Sequence, residues 1–210
     1  MSTLPSAIRL GAILFDGFEL LDLYGPLEFF GLLPDRLEVI TVGERVGAIQ
    51  SSQRPAGLAE VSLFDEGAYD ILLVPGGMGT RRLVNDDRFL KALAEKAKAA
   101  TFIASVCTGS ALLARAGLLE GRRATSNKKA FVWVQSQGPN VEWVTEARWV
   151  EDGPFFTSSG VAAGMDMSLG LISRLFGRET AVQVTDWAEY EWHEDATWDP
   201  FAKLNGLTKG

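Results

Sequence analysis

The chain has 210 residues, 47% hydrophobic and 22% charged, a globular balance with room for one compact α/β domain at ~100–200 residues per domain. Lys plus Arg is 20 and Asp plus Glu is 27, a net charge of −7, which argues against nucleic-acid binding because phosphate affinity comes from clustered Lys and Arg. The single cysteine, Cys107, excludes an intrachain disulfide and a multi-thiolate metal site, and the single histidine, His193, excludes His-pair metal motifs.

The opening MSTLPSAIRL has no basic segment followed by a long apolar stretch. The longest apolar runs, ILLV and SALLA, fall far short of the ~18–20 residues of a membrane helix. These features predict no membrane partner and a cytoplasmic protein whose lone thiol stays reduced.

Along the chain, Ile8 to Phe15 reads as a short apolar strand. Leu20 to Leu33 has helical spacing and stops at Pro34-Asp35, and the β-branched Leu37 to Val42 reads as a strand. Val46 to Ser62 reads as hairpins or loops, and Ile71 to Val74 as a buried strand stopped by Pro75-Gly76-Gly77. Asp86 to Ala100 is a predicted helix with Phe89, Leu90, Leu93 and Ala97 on one face, followed by a strand from Thr101 to Val106. Gly109 to Ala116 reads as a helix closed by Gly117, and 130–135 as a short amphipathic helix. Strands are predicted at Val141 to Val144, Ala147 to Glu151 and Phe155 to Ser158, the last two divided by the turn pair Asp152-Gly153. Helices at Ala162 to Phe176 and Arg178 to Glu189 follow, then an aromatic tail over 190–210. Strands alternating with helices predict a mostly parallel sheet covered on both faces, with its site outside the carboxyl ends of the strands.

Three segments fall at such ends: the turn around Asp22, PGGMGT and CTGS. Cys107 lies between a strand and a helix, the arrangement of a nucleophile elbow, where a nearby helix N-terminus favours thiolate. The small neighbours Thr108 and Gly109 suit a tight turn; a buried structural cysteine is the competing reading. Gly76 and Gly77 let backbone N–H groups approach a ligand, or simply make a tight turn. Asp22 sits in an apolar setting, either capping a helix or aimed into a site with a raised pKa. Glu19 competes with it for the second use. Asn127 and Lys128 follow the presumed strand RRATS and read locally as an exposed loop. His193 lies in EYEWHEDATWDPF, whose irregular aromatic character reads as packing on the domain or on a dimer partner.

Taken together, AILFDGFELLDLYGPLEFF, YDILLVPGGMGT, IASVCTGSALLARAGLLEGRRATS and TSSGVAAGMDMSLGLI resemble, in order, the ThiJ/PfpI superfamily (class I glutamine-amidotransferase-like) over roughly residues 8–190. LDLYGP and PGGMG followed by SVCTGS look most like its isocyanide (isonitrile) hydratase branch. The resemblance implies a flavodoxin-like three-layer α/β sandwich with a cysteine nucleophile elbow, usually homodimeric. It implies Cys107 as nucleophile, Asp22 as the facing acid, Gly76 and Gly77 as backbone-amide glycines and Thr108 as the residue after the nucleophile. The implied reaction adds water to a small electrophile, an isocyanide, through a thioimidate to give an N-substituted formamide, with no metal or organic cofactor. The branch often carries a His-Trp pair where this chain has Asn127-Lys128, so lysine charge is expected near the pocket mouth. Two other readings stay open: a glyoxalase or deglycase acting on 2-oxoaldehydes, whose members usually carry Glu at the Asp22 position, and a ligand- or oxidation-sensing module like the sensor domains of AraC-type regulators.

Overall fold

A computed structural model describes residues 7–208; residues 1–6 of the opening MSTLPSAIRL lie outside the described residues, as do the last two residues of the tail. Strands β1 (Ile8–Leu14), β2 (Leu37–Gly43), β3 (Gly47–Gln50), β4 (Ala56–Ala59), β5 (Val61–Ser62) and β6 (Ile71–Val74) fill the first third, with helix α1 (Leu20–Gly31) after β1. Helices α2 (Thr80–Leu83) and α3 (Asp87–Ala99), strand β7 (Phe102–Ser105), helix α4 (Gly109–Arg115), strand β8 (Arg123–Ala124) and helix α5 (Phe131–Gln135) form the middle. Strands β9 (Glu142–Trp143), β10 (Trp149–Asp152) and β11 (Phe155–Ser158) precede helices α6 (Ala163–Phe176), α7 (Arg178–Ala188) and α8 (Pro200–Leu204).

The central sheet runs β10-β11-β7-β6-β1-β2-β5, and only β10 is antiparallel to its neighbour. Strands covered on both faces must be apolar throughout, and ILLV of β6 is buried at every position. Helices α1, α6 and α7 pack together, as do α2, α3, α4 and α5; with the sheet between helices, this is the expected α/β sandwich. The predicted strand at 141–144 shrinks to β9, which pairs in parallel with β8 outside the central sheet. The 46–62 segment resolves into the antiparallel hairpin β3–β4 and the edge strand β5. Helices α2 and α8, four and five residues long, are too short to leave a periodic apolar signal.

The parallel register sets the site. Strands β11, β7, β6 and β1 are successive neighbours, so the loops leaving their carboxyl ends emerge side by side. Those loops carry Ser159 to Val161, Cys107, Gly76 and the entry to Asp22.

The tail packs on its own chain. Asp166 of α6 is fully buried and pairs with Arg148 through Nε at 2.7 Å. Its other carboxylate oxygen accepts from Tyr190 OH at 3.1 Å and the His193 backbone N–H at 2.9 Å. Trp192 Nε1 donates to the Asp166 carbonyl at 3.1 Å, and the Ala196 carbonyl accepts from Arg148 N–H at 2.8 Å beside edge strand β10. Removing one partner of a buried pair strands the other charge, at ~3–5 kcal/mol. Asp166→Ala is therefore expected to lower the melting temperature by several degrees and to open residues 190–208 to limited proteolysis. An unchanged melting curve and digestion pattern would show that the tail is held by something else.

Candidate active site

Cys107 has φ +58°, a conformation that costs a non-glycine residue about 1–3 kcal/mol and persists only where the surroundings enforce it. They do so from both sides. Its N–H donates to the Ser159 carbonyl at 3.1 Å, and its carbonyl accepts from Ser126 Oγ at 2.8 Å and Ser110 Oγ at 3.2 Å. Two glycines permit the turn. A Cβ on Gly109 would meet the Val74 carbonyl oxygen at 2.3 Å, and one on Gly76 would meet Thr108 N at 2.5 Å and Asp22 Oδ2 at 2.9 Å.

Asp22 lies in the first turn of α1 and is fully buried. Pro26 stands four residues on, so the Asp22 carbonyl lacks its usual helical N–H partner. Oδ2 accepts from Gly76 N–H at 2.9 Å, while Oδ1 is buried with no hydrogen-bond partner among the described residues. Burial pushes the Asp22 carboxyl up to about 7; the Gly76 amide opposes this, the Glu19 charge adds to it, and the nearby Cys107 thiol opposes it weakly. Burial has thus moved this carboxyl towards neutrality with one oxygen left free of any backbone partner.

Cys107 is only 6% exposed. Burial raises the Cys107 thiol well above its ordinary range, and the negative charge of Asp22 raises it further. The Thr108 N–H, the Asn127 side chain and the Val161 N–H act in the opposite direction. The expectation that the elbow alone would favour thiolate is therefore corrected. Desolvation and the facing carboxylate outweigh the amides and favour the protonated thiol. Arg81 of α2 stacks on Trp133, its guanidinium carbon 3.1 Å from the ring centroid, and its field reaches the sulfur.

The other predicted residues divide. Thr108 N–H faces the sulfur, but Gly77 N–H donates to Thr108 Oγ1 at 3.0 Å, and Gly76 N–H is taken by Asp22. The two glycine amides therefore position the acid and the elbow, and Val161 supplies the second amide at the sulfur. Val161 has φ +44°, an outlier for a β-branched residue; no local sequence signal marks it. Asn127 is half-buried at the sulfur, not in an exposed loop. Lys128 is buried, and its ammonium donates to Thr125 Oγ1 at 2.7 Å and the Ala147 carbonyl at 2.6 Å. Burial lowers its pKa to about 8; of the lysine pair, only Lys129 adds exposed charge at the mouth. His193 lines a separate hollow of about 530 Å³ with Arg148 and Trp198 and does not act on Cys107.

A cavity of about 330 Å³ is lined by Asn127, Ser159 and Val161, which all contact Cys107, together with Phe201 of α8 and Asn205, the residue that caps its C-terminus. A larger hollow of about 740 Å³ beside the Asp16–Arg45 ion pair has no residue in contact with the cysteine. Among the described residues no group of three His, Cys, Asp or Glu side chains could hold a metal ion, and no helix is long and apolar enough to cross a membrane.

Comparison with known proteins agrees with this architecture. A model of the DJ-1/PfpI family matches residues 9–174. Isonitrile hydratase of Pseudomonas putida is 34% identical over 184 residues, 88% of this chain and 79% of that protein. The HTH-type transcriptional regulator GbdR of Pseudomonas aeruginosa is 38% identical over 126 residues, 59% of this chain but 33% of the regulator. The crystal structure of a ThiJ/PfpI family protein from Pseudomonas syringae superposes with a TM-score of 0.82 at 26% identity, covering 96% of this chain and 85% of that one.

Proposed function

The chain belongs to the DJ-1/PfpI family, and from that premise we propose that it is a hydratase that converts isocyanides to N-substituted formamides through Cys107. The observation that carries the reading is the buried Asp22 carboxyl beside the sulfur, with one oxygen fixed by Gly76 N–H and the other unbonded. Its pKa of about 7 suits a group that must accept and return a proton near neutral pH.

In the first step Asp22 takes the thiol proton, which also removes the negative charge opposing the thiolate. The sulfur forms a bond to the isocyanide carbon, and Asp22 delivers the proton to that carbon, giving a thioimidate, S–CH=N–R. Water then adds across C=N with a proton going to nitrogen. Collapse of the tetrahedral adduct breaks the C–S bond, releases HC(=O)NHR and returns the thiol with its proton. The N–H groups of Thr108 and Val161 and the Asn127 side chain stabilise the charged sulfur as it forms and leaves. The 34% identity to an isonitrile hydratase over most of both chains supports this choice of electrophile.

Purified protein incubated with cyclohexyl isocyanide is expected to yield N-cyclohexylformamide, followed by its carbonyl absorbance or by mass. No formamide from alkyl or aryl isocyanides would discard the substrate; lactate from methylglyoxal would replace it with a 2-oxoaldehyde.

A further inference from the structure

The cavity lined by the residues that contact Cys107 is also bordered by a part of the chain that the mechanism does not use. Asp199 caps α8 by accepting from Phe201 N–H at 3.0 Å, and Pro200 begins the helix. Ala202 is fully buried and anchors this short helix, while the adjacent Phe201 is 54% exposed and stands at the cavity wall. Phe201 also borders the neighbouring hollow that holds Trp198 and His193, so its ring is a partition between two spaces.

Chemistry and size both define the occupant. The wall facing the substituent combines Val161, Ala162, the Phe201 ring and the lysine stems. The Lys128 ammonium is engaged elsewhere, and the Asn205 amide already donates to the Phe201 carbonyl at 2.8 Å. No carboxylate borders the cavity among the described residues, so nothing there compensates a cationic guest. A dry cavity of ~150 Å³ takes one benzene; about 330 Å³ takes a ring with a further branch.

We propose that Phe201 is a specificity-determining residue, and that the preferred substrates carry an apolar N-substituent of single-ring size, without a positive charge, whose far side rests on it. The proposal rests on the isocyanide reading above and extends it to the substrate's other end. Phe201→Ala removes the ring that lines both hollows and is expected to raise the ratio of kcat/KM for 2-naphthyl over benzyl isocyanide by about 10-fold, chiefly through KM, the scale at which apolar pockets discriminate size. Phe201→Trp is expected to move that ratio the other way. Methyl isocyanide, too small to reach the ring, should stay within about twofold in both variants on the same reasoning. Because the ring is largely exposed, melting temperatures should hold, which separates a lost wall from a lost fold.

A second arm needs no turnover. Alkylation of Cys107 by a bulky N-aryl maleimide, relative to iodoacetamide, should rise in Phe201→Ala and fall in Phe201→Trp. Unchanged isocyanide ratios in both variants of an active enzyme would overturn the proposal, as would an unchanged alkylation ratio. A wild type inactive on every isocyanide, with the alkylation ratio shifting as expected, would remove the hydratase reading and leave Phe201 as the wall of a differently used site.

Discussion

Cys107→Ala is expected to lower kcat/KM for isocyanide hydration by about 10⁴-fold or more, the scale seen when a nucleophile is deleted from a covalent mechanism. Alanine is the informative replacement because it keeps the Cβ, and with it the backbone conformation at φ +58° that Ser159, Ser126 and Ser110 enforce. Glycine would relax that strain and confuse two effects. The deletion takes away a single buried atom, so the fold should survive and the melting temperature change little. Mass spectrometry offers a positive counterpart. Wild-type protein quenched in acid during turnover should carry one added isocyanide mass on the Cys107 peptide, since addition of a thiol across the isocyanide carbon loses no atoms. Formamide production by Cys107→Ala near the wild-type rate would remove the covalent step.

The parallel sheet was legible because its strands are short, apolar and each followed by a glycine-bearing turn or a helix. LEVITV, ILLV and TFIASV all became strands of one sheet. The residues on the elbow and the first helix were legible for the same reason: Gly76, Cys107 and Thr108 follow strands within a few residues, Asp22 opens the helix after β1, and strand order brings strand ends together. What stayed hidden depends on contacts across the fold. Val161 reaches the sulfur only because its backbone is held at positive φ, and Val is among the residues least expected there. Asn127 and Lys128, adjacent in the chain, divide between the active site and the interior, a distinction set by Thr125 and Ala147. The amides of Gly76 and Gly77 were expected to face a ligand; their partners, Asp22 and Thr108, arrive from elsewhere in the chain. Even the tail's destination, decided by Asp166 in the first turn of α6, left no trace in EYEWHEDATWDPF itself.

Asp22→Asn is expected to move three measurements in directions that a structural role would not produce together. The first is stability. The folded-state pKa of Asp22 is raised from 3.8 to about 7, so folding favours its protonated form. That contribution is complete below the unfolded value, and it is lost as pH rises towards and through about 7. Such a rise corresponds to on the order of 4 kcal/mol. Asparagine keeps an oxygen to accept from Gly76 N–H and carries no charge to desolvate, so the variant should melt several degrees above wild type at pH 8 and lose that advantage towards pH 4. The second is thiol reactivity. The Asp22 charge raises the Cys107 pKa; without it, and with an amide N–H at the former Oδ1 position, iodoacetamide should alkylate Cys107 faster at neutral pH, its pH profile shifted to lower values. The third is turnover, which should fall by about 10²–10⁴-fold, because no group remains to move the proton from sulfur to carbon. A more stable protein with a more reactive cysteine and almost no activity is the signature of an acid that works against folding in order to handle a proton. An Asp22→Asn variant that is less stable at pH 8, or whose alkylation profile does not move, would mean that the carboxyl does not govern the sulfur.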